Sequence, residues 1–329
     1  MIKGMFTIFF RCASSGARGI GLALALSASI CAATAWAQPA AHNPASGIAV
    51  IYPDVGEPYR SVFAQIVGGI EEKTRGKVVA VAIGAEVHAD ELNESLRRQG
   101  VRVAIALGRQ GMKAASVLDR SIGVVVGGVL AAQPDNLRDM QVNILTPAPS
   151  LLFSRLKEMM PAARRVFVVY DPRQNAWLIR LAKEAARARG MELEAYEAQD
   201  LRSAMRAYQE IFAAADHHRD ALWLPQDSTT VEESVVLPLV LQESWARSLA
   251  VFSSSYGHVK RGTLFSMYPD NTELGRSLAV SALEMLAGGG DAGMTALREA
   301  QIAINLRTAK HLGVDADRMQ DVDMTFPAR

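Results

Sequence analysis

Short apolar runs alternate along this chain with segments in which apolar residues recur every three or four positions. The runs lie at 48–52, 78–83, 101–107, 122–129, 166–170, 192–198, 221–224, 250–252 and 263–268. They are rich in Val and Ile and mostly apolar on both faces, the pattern of strands buried between two layers of helices. The segments between them carry one apolar stripe each. Leu201, Ala204, Met205, Tyr208, Ile211 and Phe212 share one helical face. Trp177, Leu178, Leu181, Ala182 and Ala185 make another, and Arg189-Gly190 stops that helix before the next run. Strand and helix alternating over so long a stretch predict parallel α/β architecture.

The alternation breaks near its middle. The run at 122–129 and a strand-like segment at 142–145 are joined by a Gln/Pro/Asp/Asn-containing loop at 131–138. Thr146-Pro147-Ala148-Pro149 then leads into a fresh helix and a fresh series of strand–helix units. This divides the chain into a first lobe over 48–148 and a second over 149–268. Open α/β sheets bind ligands beyond the carboxyl ends of their strands, and clefts between lobes are preferred sites. Two such lobes predict a small-molecule cleft.

The N-terminal segment sets the compartment. Lys3, Arg11 and Arg18 form a basic leader, 20–33 is apolar or small, and Ala35-Trp36-Ala37 offers a small-x-small cleavage site. This reads as a signal peptide over 1–37, cleaved after Ala37, with a flexible lead-in at 38–47. Fourteen residues are short for a hydrocarbon core of about 30 Å. Ala28-Ser29-Ile30 before Cys31 places a bulky residue where a lipidation signal needs a small one. Cys12 and Cys31, the two cysteines, both lie in the leader, so the mature chain holds no disulfide and no thiolate chemistry. Losing three leader cations takes the 35 basic residues to 32 against 34 acidic ones, near −2. That balance gives no basic surface for nucleic acid. The expectation is a periplasmic protein, exported and monomeric.

Specific segments then narrow the reading. They are "LLFSRLKEMMPAARRVFVVYDPRQN" from Leu151, "ALWLPQDSTTVEE" from Ala221, "VFSSSYGHVKRGTLFSMYPDNTELGRSLA" from Val251 and "AQIAINLRTAKHLGV" from Ala300. In order and spacing the chain resembles the ABC-transporter substrate-binding family that includes tryptophan- and tyrosine-binding lipoproteins. Weaker similarity reaches back to Ile48. The resemblance implies a type I periplasmic-binding-protein fold: two doubly wound parallel-sheet lobes joined by crossing strands, with the ligand cleft between them. It implies that 269–298 completes the first lobe and 299–329 the second. An inner-membrane permease and ATPase are the implied partners, with no cofactor and no catalysis. Family members usually carry Gly-Thr-Pro-Ala after the third strand, where amides and a hydroxyl meet an amino-acid carboxylate. Here the stretch is Gly108-Arg109-Gln110-Gly111, which puts aromatic amino acids in doubt.

Candidate ligand-binding residues follow the predicted strands. Gly108, Arg109 and Gln110 stand between the run at 101–107 and a helix expected to open at about Met112. Glycines there bring amides near a ligand, a helix N-terminus favours an anion, and Arg109 offers a bidentate fork. Asp227, Ser228 and Thr229 follow 221–224; they are natural helix caps, and they align with the family's ligand-lining stretch. Asp227 would accept from an ammonium group. Ser253, Ser254, Ser255 and Tyr256 follow 250–252 as a polar wall with a ring for stacking. Tyr52 and Tyr268, each ending a predicted strand, complete the set, with Glu57 a fainter candidate. His217-His218 beside Asp216 and Asp220 reads as a polar surface turn rather than a metal site.

Two enzyme-like strings fail on context. "SSGARGIGLALA" at 14–25 resembles a dehydrogenase cofactor loop, and Tyr256 and Lys260 have the spacing of that family's catalytic pair. A cofactor loop must follow a buried strand within a βαβ unit, and this one lies in the leader. The sequence therefore predicts a solute-binding protein that closes on a small polar, zwitterionic or anionic ligand for an importer. An exported sensor domain for a membrane receptor is the alternative, and an exported α/β enzyme a second one.

Overall fold

The structure, a computed structural model, describes residues 47–130, 139–315 and 322–327. The leader and the 131–138 loop named above lie outside these residues. The first elements in chain order are β1 (Ile48–Pro53), α1 (Tyr59–Thr74), β2 (Val79–Ile83), α2 (Ala89–Arg98), β3 (Val103–Leu107), α3 (Gly108–Ala115), β4 (Gly123–Val129) and β5 (Gln141–Pro147). There follow α4 (Pro149–Met159), β6 (Arg165–Tyr170), α5 (Pro172–Arg187), β7 (Glu192–Glu197), α6 (Leu201–Ala214), β8 (Asp220–Leu224), α7 (Val236–Ala246), β9 (Ala250–Ser253), α8 (Gly257–Arg261) and β10 (Phe265–Pro269). Last come α9 (Asn271–Leu286), β11 (Gly293–Leu297), β12 (Ala300–Asn305), α10 (Leu306–His311) and β13 (Met324–Phe326).

Two sheets organise these elements. One has the order β11-β5-β4-β3-β1-β2, the other β13-β12-β10-β9-β8-β6-β7. Every pairing is parallel except β10 with β12. The double-sided apolarity of the strands has the cause read from the sequence. In β3, Val103, Ile105 and Leu107 enter one core while Ala104 and Ala106 enter the core on the opposite face. In β6, Phe167 and Val169 face one way, Val166 and Val168 the other. Strand residues alternate sides, so a strand covered on both faces has no polar position to spare.

Small residues set how closely the helices approach. α3 lies on the face that carries Ala104 and Ala106, and a Cβ on Gly111 would stand 3.0 Å from the Ala106 carbonyl carbon. α1 and α9 cross through a glycine on each: a Cβ on Gly69 would meet the Thr272 oxygen at 2.1 Å, and one on Gly275 the Ile66 oxygen at 2.0 Å. α9 follows the tenth strand in sequence yet packs on the first sheet, where Leu278 and Ala282 join the core of Ile48, Val50 and Val103.

The chain passes between the sheets three times, at β5–α4, β10–α9 and β11–β12. Backbone bonds tie these passages together: Ala148 N donates to Leu297 O at 2.8 Å, and Asp270 N to Glu299 O at 3.0 Å. The three connections between the sheets are thus short and bonded to one another.

Candidate ligand-binding site

A cleft of about 1750 Å³ opens between the two sheets at the carboxyl ends of their strands. Four walls surround it. One face of α3 supplies Arg109, Gln110, Met112 and Lys113. Alternate positions of β5 and the residue before it supply Met140, Val142, Ile144 and Thr146. From the other sheet come the N-terminal half of α5, through Trp177 and Arg180, and the segment after β8 from Pro225 to Ser228. His258 of α8 completes the lining with Glu232 and Glu233.

The polar framework of the second wall is built around two carboxylates. Asp171 caps α5, accepting from Arg173 N at 3.0 Å, and its other oxygen takes Arg173 Nη2 at 2.6 Å and Thr229 Oγ1 at 3.0 Å. The Arg173 guanidinium, aided by the backbone N–H and the Thr229 hydroxyl, holds the Asp171 carboxyl well below the usual carboxylate range. Asp227 accepts from Asp171 N (2.7 Å) and Asn175 Nδ2 (2.9 Å) with one oxygen. Its other oxygen takes Thr229 N and Thr230 N, both at 2.9 Å. A carboxylate offers about four acceptor positions. All four of Asp227 are filled.

These bonds revise several expectations. Asp227 lines the cleft but has no lone pair left for a ligand ammonium, so its role is to hold the wall. Thr229 spends its hydroxyl on Asp171 and does not line the cleft. Ser228 does, with its amide and hydroxyl both donating to Gln174 Oε1. Ser253 is fully buried; its hydroxyl meets His258 Nδ1 at 2.8 Å and takes Ser255 N at 3.0 Å. Ser254 accepts from Trp223 Nε1 at 3.0 Å. The serines thus serve the strand end rather than the cleft. Tyr256 is 52% exposed, its ring 5.7 Å from that of Tyr268, and neither these two nor Tyr52 lines the cleft.

The glycine turn also differs. The helix begins at Gly108, four residues before the expected Met112. Gly108 is buried at φ +70°, and a Cβ there would stand 2.9 Å from the Phe63 ring. Gly108 and Gly111 are therefore required by packing and backbone conformation, not by approach to a ligand. Arg109 and Gln110, between them, do face the cleft, and Gln110 Oε1 is buried without a hydrogen-bond partner.

His258 is almost fully buried, with Glu233 Oε1 3.8 Å from its Nε2. Burial pushes its imidazole below the ordinary histidine value, against the pull of Glu233. At His217-His218 no metal cluster exists among the described residues, and Asp220 is instead buried in an ion pair with Arg165 at 2.7 Å.

Periodicity alone misses Lys113, Trp177 and Arg180. Lys113 follows Arg109 by four, a signal for one helical face that was available. Trp177 belongs to the apolar stripe that the sequence predicts for α5. Leu178 and Ala182 are indeed buried, but Leu181 is exposed and Trp177 is half-buried against the cores of both sheets.

The family model for the ABC transporter substrate binding protein matches residues 152–320. The chain belongs to that family. Among solved structures, a ligand-free, open substrate-binding protein with adhesive properties from Clostridium difficile aligns with a TM-score of 0.58 at 16% identity. The alignment spans 84% of this chain and 98% of that one. A conserved domain protein from Vibrio cholerae aligns at 17% identity and TM-score 0.48, over 84% and 99%. An ABC domain in complex with L-Trp from Streptococcus pneumonia aligns at 15% and 0.47, over 84% and 98%. No protein of curated function matches the chain. The substrate-binding protein has the type I periplasmic-binding-protein fold implied by its sequence, two doubly wound α/β lobes joined by crossing strands.

Proposed function

We propose that this substrate-binding protein is exported to the periplasm, cleaved after Ala37, and captures a small solute for an inner-membrane ABC permease and ATPase. The observation that carries this reading is the position of the cleft. It lies between two sheets, at the carboxyl ends of both sets of strands, beside three bonded passages suited to hinging. A ligand that touches both walls only when they approach stabilises the closed state, and capture follows from that difference in affinity. Arg109, Gln110 and Ser228 are the binding residues retained from the sequence, joined by Lys113, Trp177 and Arg180.

A binding role without chemistry is supported by an arrangement among the described residues that resembles a catalytic triad. Ser253, His258 and Glu233 are linked, but the serine oxygen meets Nδ1, is buried, and already takes the Ser255 amide. An attacking serine needs a free, exposed oxygen. The proposed protein acts as a monomer.

Small-angle scattering tests the reading. Mature protein saturated with a solute found by thermal shift is expected to become more compact, and protein recovered from the periplasm to begin at Gln38. Binding without compaction, or an intact leader on a cytoplasmic species, would refute capture by closure or export respectively.

A further inference from the structure

The charges lining the cleft are unevenly compensated. Asp227 is saturated by four donors. Glu232 accepts from Ser234 N, Ser234 Oγ and Val235 N, at 2.7–2.9 Å, and Glu233 pairs with Arg261 and His258. Arg173 is held by Asp171. Arg109, Lys113 and Arg180, by contrast, line the cleft with no ion pair or side-chain hydrogen bond to any described residue. Two of these cations project from α3 on the first sheet, and the third from α5 on the second. Like charges facing one cavity raise its potential and draw in an anion, more strongly as water is expelled.

The uncharged lining mixes polar side chains, Gln110, Gln174, Asn175 and Ser228 among them, with an apolar patch. Trp177 and Met112 are half-buried and pack against the core that includes Val142 and Ile144. Among the described residues, the one buried acceptor free in the lining is the neutral Gln110 Oε1, suited to a ligand N–H or O–H and without charge to balance an ammonium. An amino-acid zwitterion entering here would find three unpaired cations for its carboxylate, while every carboxylate among the described lining residues already has a donor or a cation of the protein beside it. Desolvating an ammonium group without a partner is costly.

We infer that the cleft takes an organic anion with an apolar or aromatic body and no ammonium group. This rests on the binding-protein reading and narrows it. The anionic head is a carboxylate or a phosphate, gripped from both walls as they close, while the body lies against Trp177 and the β5 wall.

Matched pairs test it by calorimetry on the mature protein: indole-3-propionate against L-tryptophan, and 3-phenylpropionate against L-phenylalanine, with phenyl phosphate as the phosphate arm. The member without the amine is expected to bind at least about tenfold more tightly, and more weakly as salt is raised. Lys113→Gln and Arg180→Gln should each weaken that binding by about tenfold or more, with melting temperature unchanged, since both side chains are exposed. Tighter binding of 3-phenylpropionate than of phenyl phosphate would assign the head as carboxylate, and the reverse as phosphate. Amino acids that bind as well as or better than their deaminated partners would overturn the inference. So would failure of all the anions to bind, or affinity indifferent to both substitutions. The binding-protein reading is separable: another solute that binds and compacts the protein would leave it standing while the anion inference fell.

Discussion

The backbone N–H of Asp171 donates to the carboxylate of Asp227 at 2.7 Å, so the end of β6 is fastened to the end of β8 by a side chain. The same carboxylate also anchors Asn175 of α5 and the amides of Thr229 and Thr230. Asp227→Ala would leave the amides of Asp171, Thr229 and Thr230 unpaired and Asn175 Nδ2 with only the Gln226 carbonyl. Loss of a buried charged acceptor costs about 3–5 kcal/mol, and a urea unfolding midpoint lowered to match is the expected result. Asp227→Asn, which keeps only part of the acceptor capacity, should fall between.

Asp171 gives the fold an acid limit. Its carboxyl is held below the ordinary value of about 3.9, chiefly by Arg173. The folded state therefore binds this proton less readily than the unfolded state. The stability it contributes is fully present above about pH 4 and is lost as pH falls through the depressed folded value. Asp171→Asn retains a helix cap but no charge. Its stability deficit, measured by urea unfolding, should be constant near neutrality and shrink below about pH 4.

The crossing of α1 and α9 tolerates no side chain at its centre. Gly275→Ala would place a Cβ 2.0 Å from the Ile66 oxygen, and backbone must shift to admit it. Overpacking of this kind typically costs about 1–3 kcal/mol or more. Gly68→Ala is the control, because nothing lies within 4 Å of that position although it adjoins Gly69. Thermal melts should separate the two variants clearly.

Arg109 is exposed, faces the cleft and makes no ion pair with a described residue. Its removal should leave folding untouched and affect only the bound state. A charge-assisted contact of about 1.5–3 kcal/mol corresponds to roughly ten- to a hundredfold in affinity. Calorimetry on Arg109→Ala should show that loss with an unchanged melting temperature. Equal affinity for variant and parent would mean that this guanidinium is merely solvated.

Much of the fold was legible because burial on both faces leaves a local trace. A segment such as Val103–Leu107 has no polar residue, so its strand and its two helical layers can be read from five letters. β11 and β13 left no such trace: each stands at the edge of its sheet, mostly half-exposed, so composition does not separate it from a loop. The break in the alternation marked the first passage between sheets, before Pro149, whereas the two later ones were implied by family resemblance and by no periodicity.

For the site, the sequence determined where polar groups gather, since residues after a strand must lie at its carboxyl end. Of the residues it singled out, Arg109, Gln110, Asp227 and Ser228 line the cleft. Only the tertiary structure decided which of them remain free. Asp227 is filled by donors up to 56 positions away, the serines after β9 are taken by Trp223 and His258, and Lys113 and Arg180 meet one cavity from different sheets. Whether a polar side chain serves the fold or a ligand depends on its hydrogen-bond partners, and those are set by contacts between segments distant in sequence.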